Sequence, residues 1–316
     1  MICIYRWHYR EPPASKHITQ VGSLATPNQM PQPRAALSVD VEFFSHLPAY
    51  RNAVGTTDRT AIGHEGIKFL LDAFADAGEI GTFFTVSEIA ESHPDTVATI
   101  ARQHELGSHT HSHRHLSTLT PAERRTELAD SKRVLETTSG ESVVGFRAPS
   151  FDFAEDHFEL LADTGYEYDS SVVACRSIPG WYGGQYELQQ SAPASTVSAR
   201  APETIAEVPL AVMPGLRLPL TGTWIRFFGV RYTLLGMKLL ARRGVAPVLY
   251  VHPWELVDLP TVEGVPSRVY WRTGDYMRRA VRRILASEFE FIPVRQLAET
   301  AETEPRDSTA EAASDD

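Results

Sequence analysis

The sequence predicts an α/β fold, a parallel sheet covered by helices, and three observations carry that expectation. Apolar segments of strand length alternate with segments of helical periodicity along most of the chain. The 316 residues suit one α/β barrel of roughly 250 residues with extensions at both ends. Carboxylates and histidines recur at the ends of apolar runs, where barrels and doubly wound sheets both place their sites.

Residues 35–41 (AALSVDV) form a short apolar run ending in acids. Ile67, Leu70, Leu71 and Phe74 then mark one helical face before Ala77-Gly78. Residues 81–86 (GTFFTV) are strand-like, and 87–105 suit a helix with a proline interruption. The stripe Leu128, Val134, Leu135 predicts a helix over 121–138 with Thr120 as its cap, followed by a strand at 143–146 and a helix at 158–162. After an irregular stretch come a helix at 230–243, a strand at 248–251, a helix at 276–286 and a strand at 289–294. Five prolines mark residues 1–34 as an irregular leader, and seven acids against one base mark 299–316 as an acidic disordered tail. The folded domain is therefore expected over 35–298.

A net charge of −10 argues against nucleic acid or an anionic membrane surface as a partner. Cys3 and Cys175 are the only cysteines, so neither a disulfide framework nor a thiolate metal site is expected. No stretch approaches the ~20 apolar residues of a membrane span, and residues 1–20 lack the apolar core of a signal peptide. The expectation is a cytoplasmic protein.

Five segments carry candidate chemistry. Asp40 and Glu42 sit at i and i+2 on an extended run, so both carboxylates face the same way. Such a pair calls for a cation, although alone it reads equally as a solvated strand end. Four of the twelve histidines lie within residues 109–115, and His109–His113 and His111–His115 have the i, i+4 spacing of a helical metal pair. Histidines beside acids, without cysteine, suggest two imidazoles and a carboxylate with open positions, a catalytic arrangement. Residues 145–150 (GFRAPS) follow a strand and offer Arg147 to a carboxylate and a backbone N–H to an oxyanion. Asp169 stands within YDS, and His252 ends an apolar strand, placed to act as a general acid near neutrality.

SVDVE, GSHTHSH, FRAPS, YDSS and YVHPWE, in that order, resemble the polysaccharide deacetylase family, the NodB-homology domain of carbohydrate esterase family four. The resemblance covers roughly residues 35–300 and is nearest to the exopolysaccharide-associated branch with an HPWE motif, in which SIPGWYGGQY and VPLAVMPGLRLPL also have counterparts. It implies a distorted (β/α) barrel and one divalent metal, zinc, held by His109, His113 and Glu42. His111 falls where the family carries an aromatic and is not counted as a ligand. The resemblance makes Asp40 the catalytic base, Arg147 its tether, His252 the general acid and Asp169 its support. Ser150 would give its N–H to the oxyanion. Val41 separates acids that are adjacent in most members, so Asp40 and Glu42 can exchange roles.

The implied reaction is metal-assisted removal of an N-acetyl group from a carbohydrate, with Trp224, Trp254 and Tyr250 available to stack on a sugar ring. An allantoinase-like cyclic amide hydrolase and an O-deacetylase would keep the same residues. A glycan-binding module without turnover is the rival from another class, and the intact acid and base positions argue against it. The number of subunits is not legible.

Overall fold

The computed structural model describes residues 31–58, 60–177 and 183–303. The expected leader up to residue 30, the tail from residue 304 and residues 178–182 of SIPGWYGGQY lie outside them.

One sheet organises the described chain. Its strands are β1 (Arg34–Val41), β2 (Thr82–Thr85), β3 (Glu105–Ser108), β4 (Gly145–Phe146), β5 (Tyr168–Asp169), β6 (Ala192–Pro193), β7 (Ala206–Glu207), β8 (Val248–Val251) and β9 (Glu290–Phe291). They run in the order β6-β7-β5-β4-β3-β2-β1-β8, with β9 against the start of β1. All pairs are parallel except β6–β7. Beyond β7 the chain bridges Val173 to Leu210, and the Ala211 N–H donates to the Val248 carbonyl of β8 at 2.9 Å. The sheet thus curls until its two sides meet, the distorted barrel that the sequence implied.

β1 shows why the strands read as apolar runs. Every residue from Ala35 to Val41 is buried, as expected for a parallel strand covered on both faces. Of its two internal polar residues, Ser38 and Asp40, Ser38 donates to the Leu249 carbonyl of β8. Register then fixes the rim. Val41, Thr85, Ser108, Phe146, Asp169 and Glu207 form one row across β1, β2, β3, β4, β5 and β7. Val251 pairs with Val39 on the other side of β1. One residue further on, Glu42, His109, Arg147 and Ser170 lie along one edge, with Asp40 and His252 beside them.

Helix His64–Ala77 packs Ile67, Leu70 and Phe74 inward and ends at Gly78, whose φ of 70° is the left-handed cap that favours glycine. Helix Pro121–Ser139 starts at Thr120, whose hydroxyl accepts from the Glu123 N–H while Glu123 bonds back, a capping box. The proline interruption expected in the helix over 87–105 divides it into Ser87–Ser92 and Pro94–Gln103, and only the last residue of that range, Glu105, belongs to β3. Helix Gly222–Phe228 occupies part of the stretch expected to be irregular. Helix Val294–Thr303 runs past residue 299, because Val294, Leu297, Ala298 and Ala301 keep a buried stripe where a tail was expected. No helix among the described residues is long and apolar enough to cross a membrane.

Helix His64–Ala77 meets the turn after β8 at Gly66, where an added Cβ would lie 2.0 Å from the Pro253 carbonyl oxygen. Alanine is otherwise preferred over glycine inside a helix by about 1 kcal/mol. Here the backbone clash decides the sign, and Gly66→Ala should lower stability by about 1–3 kcal/mol in urea unfolding. Unchanged or raised stability would show that this contact does not hold the turn.

Candidate active site

The rim is organised around Arg147. Its side chain is fully buried, and its guanidinium donates to Asp40 Oδ1 at 2.6 Å, Ser38 Oγ at 2.8 Å, the Ser170 carbonyl at 2.9 Å and Ser170 Oγ at 2.8 Å. Phe84 and Tyr250 cover it, with ring centroids 4.2 and 5.6 Å from its central carbon. A buried cation needs this many partners, and Asp40 supplies the counter-charge. The expected tether of Asp40 by Arg147 is present.

Glu42, His109 and His113 converge next to it, with their ligand atoms within 4.8 Å of one another and all three residues buried. His109 Nδ1 lies 2.8 Å from the Arg147 carbonyl. A carbonyl only accepts, so Nδ1 carries the proton and Nε2 keeps its lone pair for the cluster. Burial pushes the His109 pKa down to about 4 despite the nearby carboxylates of Asp40 and Glu42, so the ring is neutral, as a ligand must be. Burial opposes ionisation of Glu42, but His113, with His252 and His109, outweighs it and holds the carboxyl well below the usual range. Glu42 Oε2 contacts His113 Nε2 and is otherwise without a hydrogen bond, while Oε1 accepts from the Trp254 indole at 3.0 Å. Two imidazoles and an ionised carboxylate, buried and converging, fit a divalent metal.

The histidines reach this position by a route that the spacing did not indicate. Residues 109–115 form a loop and no helix. Thr110 and His113 adopt φ of 65° and 57°, and the His113 N–H donates to Thr110 Oγ1 at 3.1 Å. Glu127 accepts from the His111 and Ser112 N–H groups and the Ser112 hydroxyl, while Arg51 donates to the Ser112 and His113 carbonyls. His111 is bonded at Nδ1 to Ser87 Oγ, outside the cluster. Neither Glu127 nor Arg51 carries a local sequence signal for this work.

His252 Nε2 lies 3.6 Å from Glu42 Oε1. The expectation that Asp169 supports His252 is corrected by the geometry. His252 Nδ1 meets Glu255 Oε2 at 3.1 Å, and the same oxygen accepts the His252 N–H, because the short 3₁₀ turn at Pro253–Leu256 folds Glu255 back onto the strand end. Glu255 Oε1 pairs with Arg226 Nε at 2.8 Å. Gly222 makes room for it, since a Cβ there would lie 2.1 Å from Glu255 Oε2. Burial disfavours the His252 cation, yet Glu255, Glu42 and Asp40 outweigh it and raise its pKa. Asp169 instead pairs with His157 at 3.2 Å and accepts from Ser171 at 2.7 Å. Burial, then Asp169, push the neighbouring Glu207 well above the carboxylate range, so that Glu207 holds its proton.

A cavity of about 830 Å³ opens over the cluster, lined by Asp40, Glu42, His109, His113, His252 and Ser150 among others. Ser150 and Phe151 have φ of 55° and 59°, and Ser150 Oγ lies 3.1 Å from His115 Nε2. Trp254, expected to offer a sugar its face, is 4% exposed. His252 stacks on its ring at 5.0 Å, and Arg226 lies 5.4 Å from its centroid. Trp224 and Tyr250 are buried as well. These three aromatics shape and hold the site and offer no open stacking face.

Comparison with known proteins bears on the same residues. Residues 56–168 match the polysaccharide deacetylase family, and residues 170–299 match a domain of unknown function, DUF3473. A peptidoglycan deacetylase of Helicobacter pylori (strain ATCC 700392 / 26695) is 28% identical over 112 residues, 35% of this chain and 38% of that protein. The chain thus matches under two-fifths of that relative's length. Among solved structures, a protein assigned to the polysaccharide deacetylases from Mycobacterium smegmatis superposes with a TM-score of 0.60 at 21% identity, over 88% of this chain and 93% of the other. A second such protein, from Pseudomonas aeruginosa PAO1, gives 0.54 at 16% identity over 86% and 94%. The allantoinase PuuE gives 0.54 at 16% over 86% and 93%. At these identities the likeness establishes the fold and no more. The two matched segments, 56–168 and 170–299, contribute to one sheet and line one cavity.

Proposed function

We propose that this chain is a metal-dependent hydrolase that removes N-acetyl groups from a carbohydrate. The observation that carries the reading is the convergence of a buried Glu42–His109–His113 cluster with a tethered carboxylate, Asp40, and a carboxylate-backed imidazole, His252, on one cavity. The HPWE sequence at 252–255 supports placing it in the exopolysaccharide-associated branch.

A divalent cation, zinc as the family resemblance implies, would polarise the acyl carbonyl and make water more acidic. Counter-charge distributes the remaining roles. Asp40 has a permanent cation in Arg147, which fixes one of its oxygens and leaves the other to take a proton from the attacking water. Glu42 faces only imidazoles and an indole, so the ligand role falls to it. The Ser150 N–H stabilises the oxyanion, a contribution typically about 3–4 kcal/mol. His252 protonates the leaving amine, with Glu255 fixing its Nδ1–H and leaving Nε2–H to be given up.

Metal analysis of the dialysed protein should show near-stoichiometric loading that the His109→Ala, His113→Ala double variant loses. Full loading of that variant would remove the metal assignment.

Asp40→Asn should keep its metal while acetate release from N-acetylated oligosaccharides falls at least ~10²-fold, whereas Glu42→Gln should lose metal first. The reverse pattern would exchange their roles.

His252 must be protonated to donate, and its pKa is raised, so rate should persist above the ordinary histidine range near pH 6.5 and fall as pH rises through the raised value. Glu255→Gln removes the largest raising influence and should move that alkaline limb to lower pH. It should also slow an amide more than an activated aryl acetate, whose phenolate leaves without a proton. An unmoved limb together with equal losses on both substrates would leave Glu255 a structural role only.

A further inference from the structure

We propose that Phe227 and Trp271 form a sugar-stacking subsite beside the cavity, making the substrate an oligomeric or polymeric glycan; this rests on the deacetylase reading of the cavity. Trp271 has 52% of its surface exposed. Its ring meets Phe227 edge to face, with centroids 6.1 Å apart at 74°, and Phe227 lines the cavity. The aromatic surface therefore runs from the cavity wall to the outside, whereas Trp224, Trp254 and Tyr250 are buried.

The platform is held rigidly with respect to His252. Arg226, which backs Glu255, also donates through Nη1 to the Val269 carbonyl at 2.8 Å and the Trp271 carbonyl at 3.1 Å. Arg272 lies 5.6 Å from the Trp271 ring centroid and donates to the Arg226 carbonyl at 3.2 Å. One arginine thus fixes both the acid's support and the backbone that presents the indole. A pyranose ring suits such a surface, since its axial C–H groups pack on an aromatic face while its hydroxyls stay available to polar groups. Arg268 supplies one at the cavity wall, and its guanidinium has no hydrogen-bond or ion-pair partner among the described residues. A lipid surface would want apolar groups without a cavity behind them, so the continuity favours a glycan whose acetylated unit enters the cavity while a neighbouring unit lies on Trp271.

Isothermal titration calorimetry of N-acetylglucosamine and its β-1,4-linked pentamer against the wild-type chain, Trp271→Ala and Trp271→Tyr tests this, with acetate release followed in parallel. Trp271→Ala should weaken the pentamer about three- to ten-fold and leave the monomer unchanged, and Trp271→Tyr should recover most of the loss. The subsite is overturned if the wild type binds the pentamer no more tightly than the monomer, if Trp271→Ala leaves pentamer binding intact, or if both ligands weaken together. Trp271-dependent binding to phosphatidylglycerol vesicles in place of the pentamer would likewise overturn it. Acetate release without a Trp271 effect removes the subsite and keeps the deacetylase reading. A Trp271 effect on binding without acetate release does the opposite.

Discussion

A guanidinium shut off from water decides how this rim is built. An unpaired cation in that position would cost several kcal/mol, so each partner of Arg147 is a requirement on the fold. Those partners come from Ser38 and Asp40 on β1 and from Ser170 just beyond β5. The rings that cover it come from β2 and β8. Elements far apart in sequence thus end on a single side chain. The same residue's carbonyl receives the His109 Nδ1–H and selects the tautomer that leaves Nε2 for the cluster. One residue therefore fixes both the geometry of Asp40 and the tautomer of His109.

Buried acids crowd this end of the barrel, and the structure gives each its own relief. Asp40 has Arg147, Glu255 has Arg226 and His252, and Asp169 has His157 beside a protonated Glu207. Glu42, like Asp169, has only imidazoles as charge partners. Glu42 is set apart because His109 and His113 converge on it, with ligand atoms within 4.8 Å of one another, an arrangement that would fit a cation.

Much of this was legible in the sequence, and what was missed has physical causes. Apolar runs identified β1, β2, β4 and β8, because parallel strands buried on both faces read as continuous hydrophobic stretches. β3 was lost because its four residues follow a helix after a single intervening residue, with no turn signal between them. The pair His109–His113 was found through a helical spacing that the loop does not use. Two left-handed residues return the chain on itself over the same number of positions. Asp169 was the wrong partner for His252, since a motif order says which residues share a rim and not which side chains touch. The true partner stood three residues away within HPWE, where a capping interaction resembles ordinary turn chemistry. Arg226 gave no signal at all, as one arginine in the apolar helix GTWIRFF reads as a surface residue until its burial is known.

The two matched segments meet between Tyr168 and Ser170, inside the sheet and next to its most constrained side chains. β5 pairs with β4 on one side and with β7 on the other, so neither segment alone would cover both edges of that strand. His109, His113 and Arg147 fall in the first segment, whereas Ser170, His252, Glu255 and Arg226 fall in the second. Arg147 already spans the junction through its bonds to Ser170. A segment holding Arg147 without Ser170 would bury a cation short of half its hydrogen bonds. The second segment supplies His252 and much of the wall of the shared cavity. Its packing and its chemistry both require the first half.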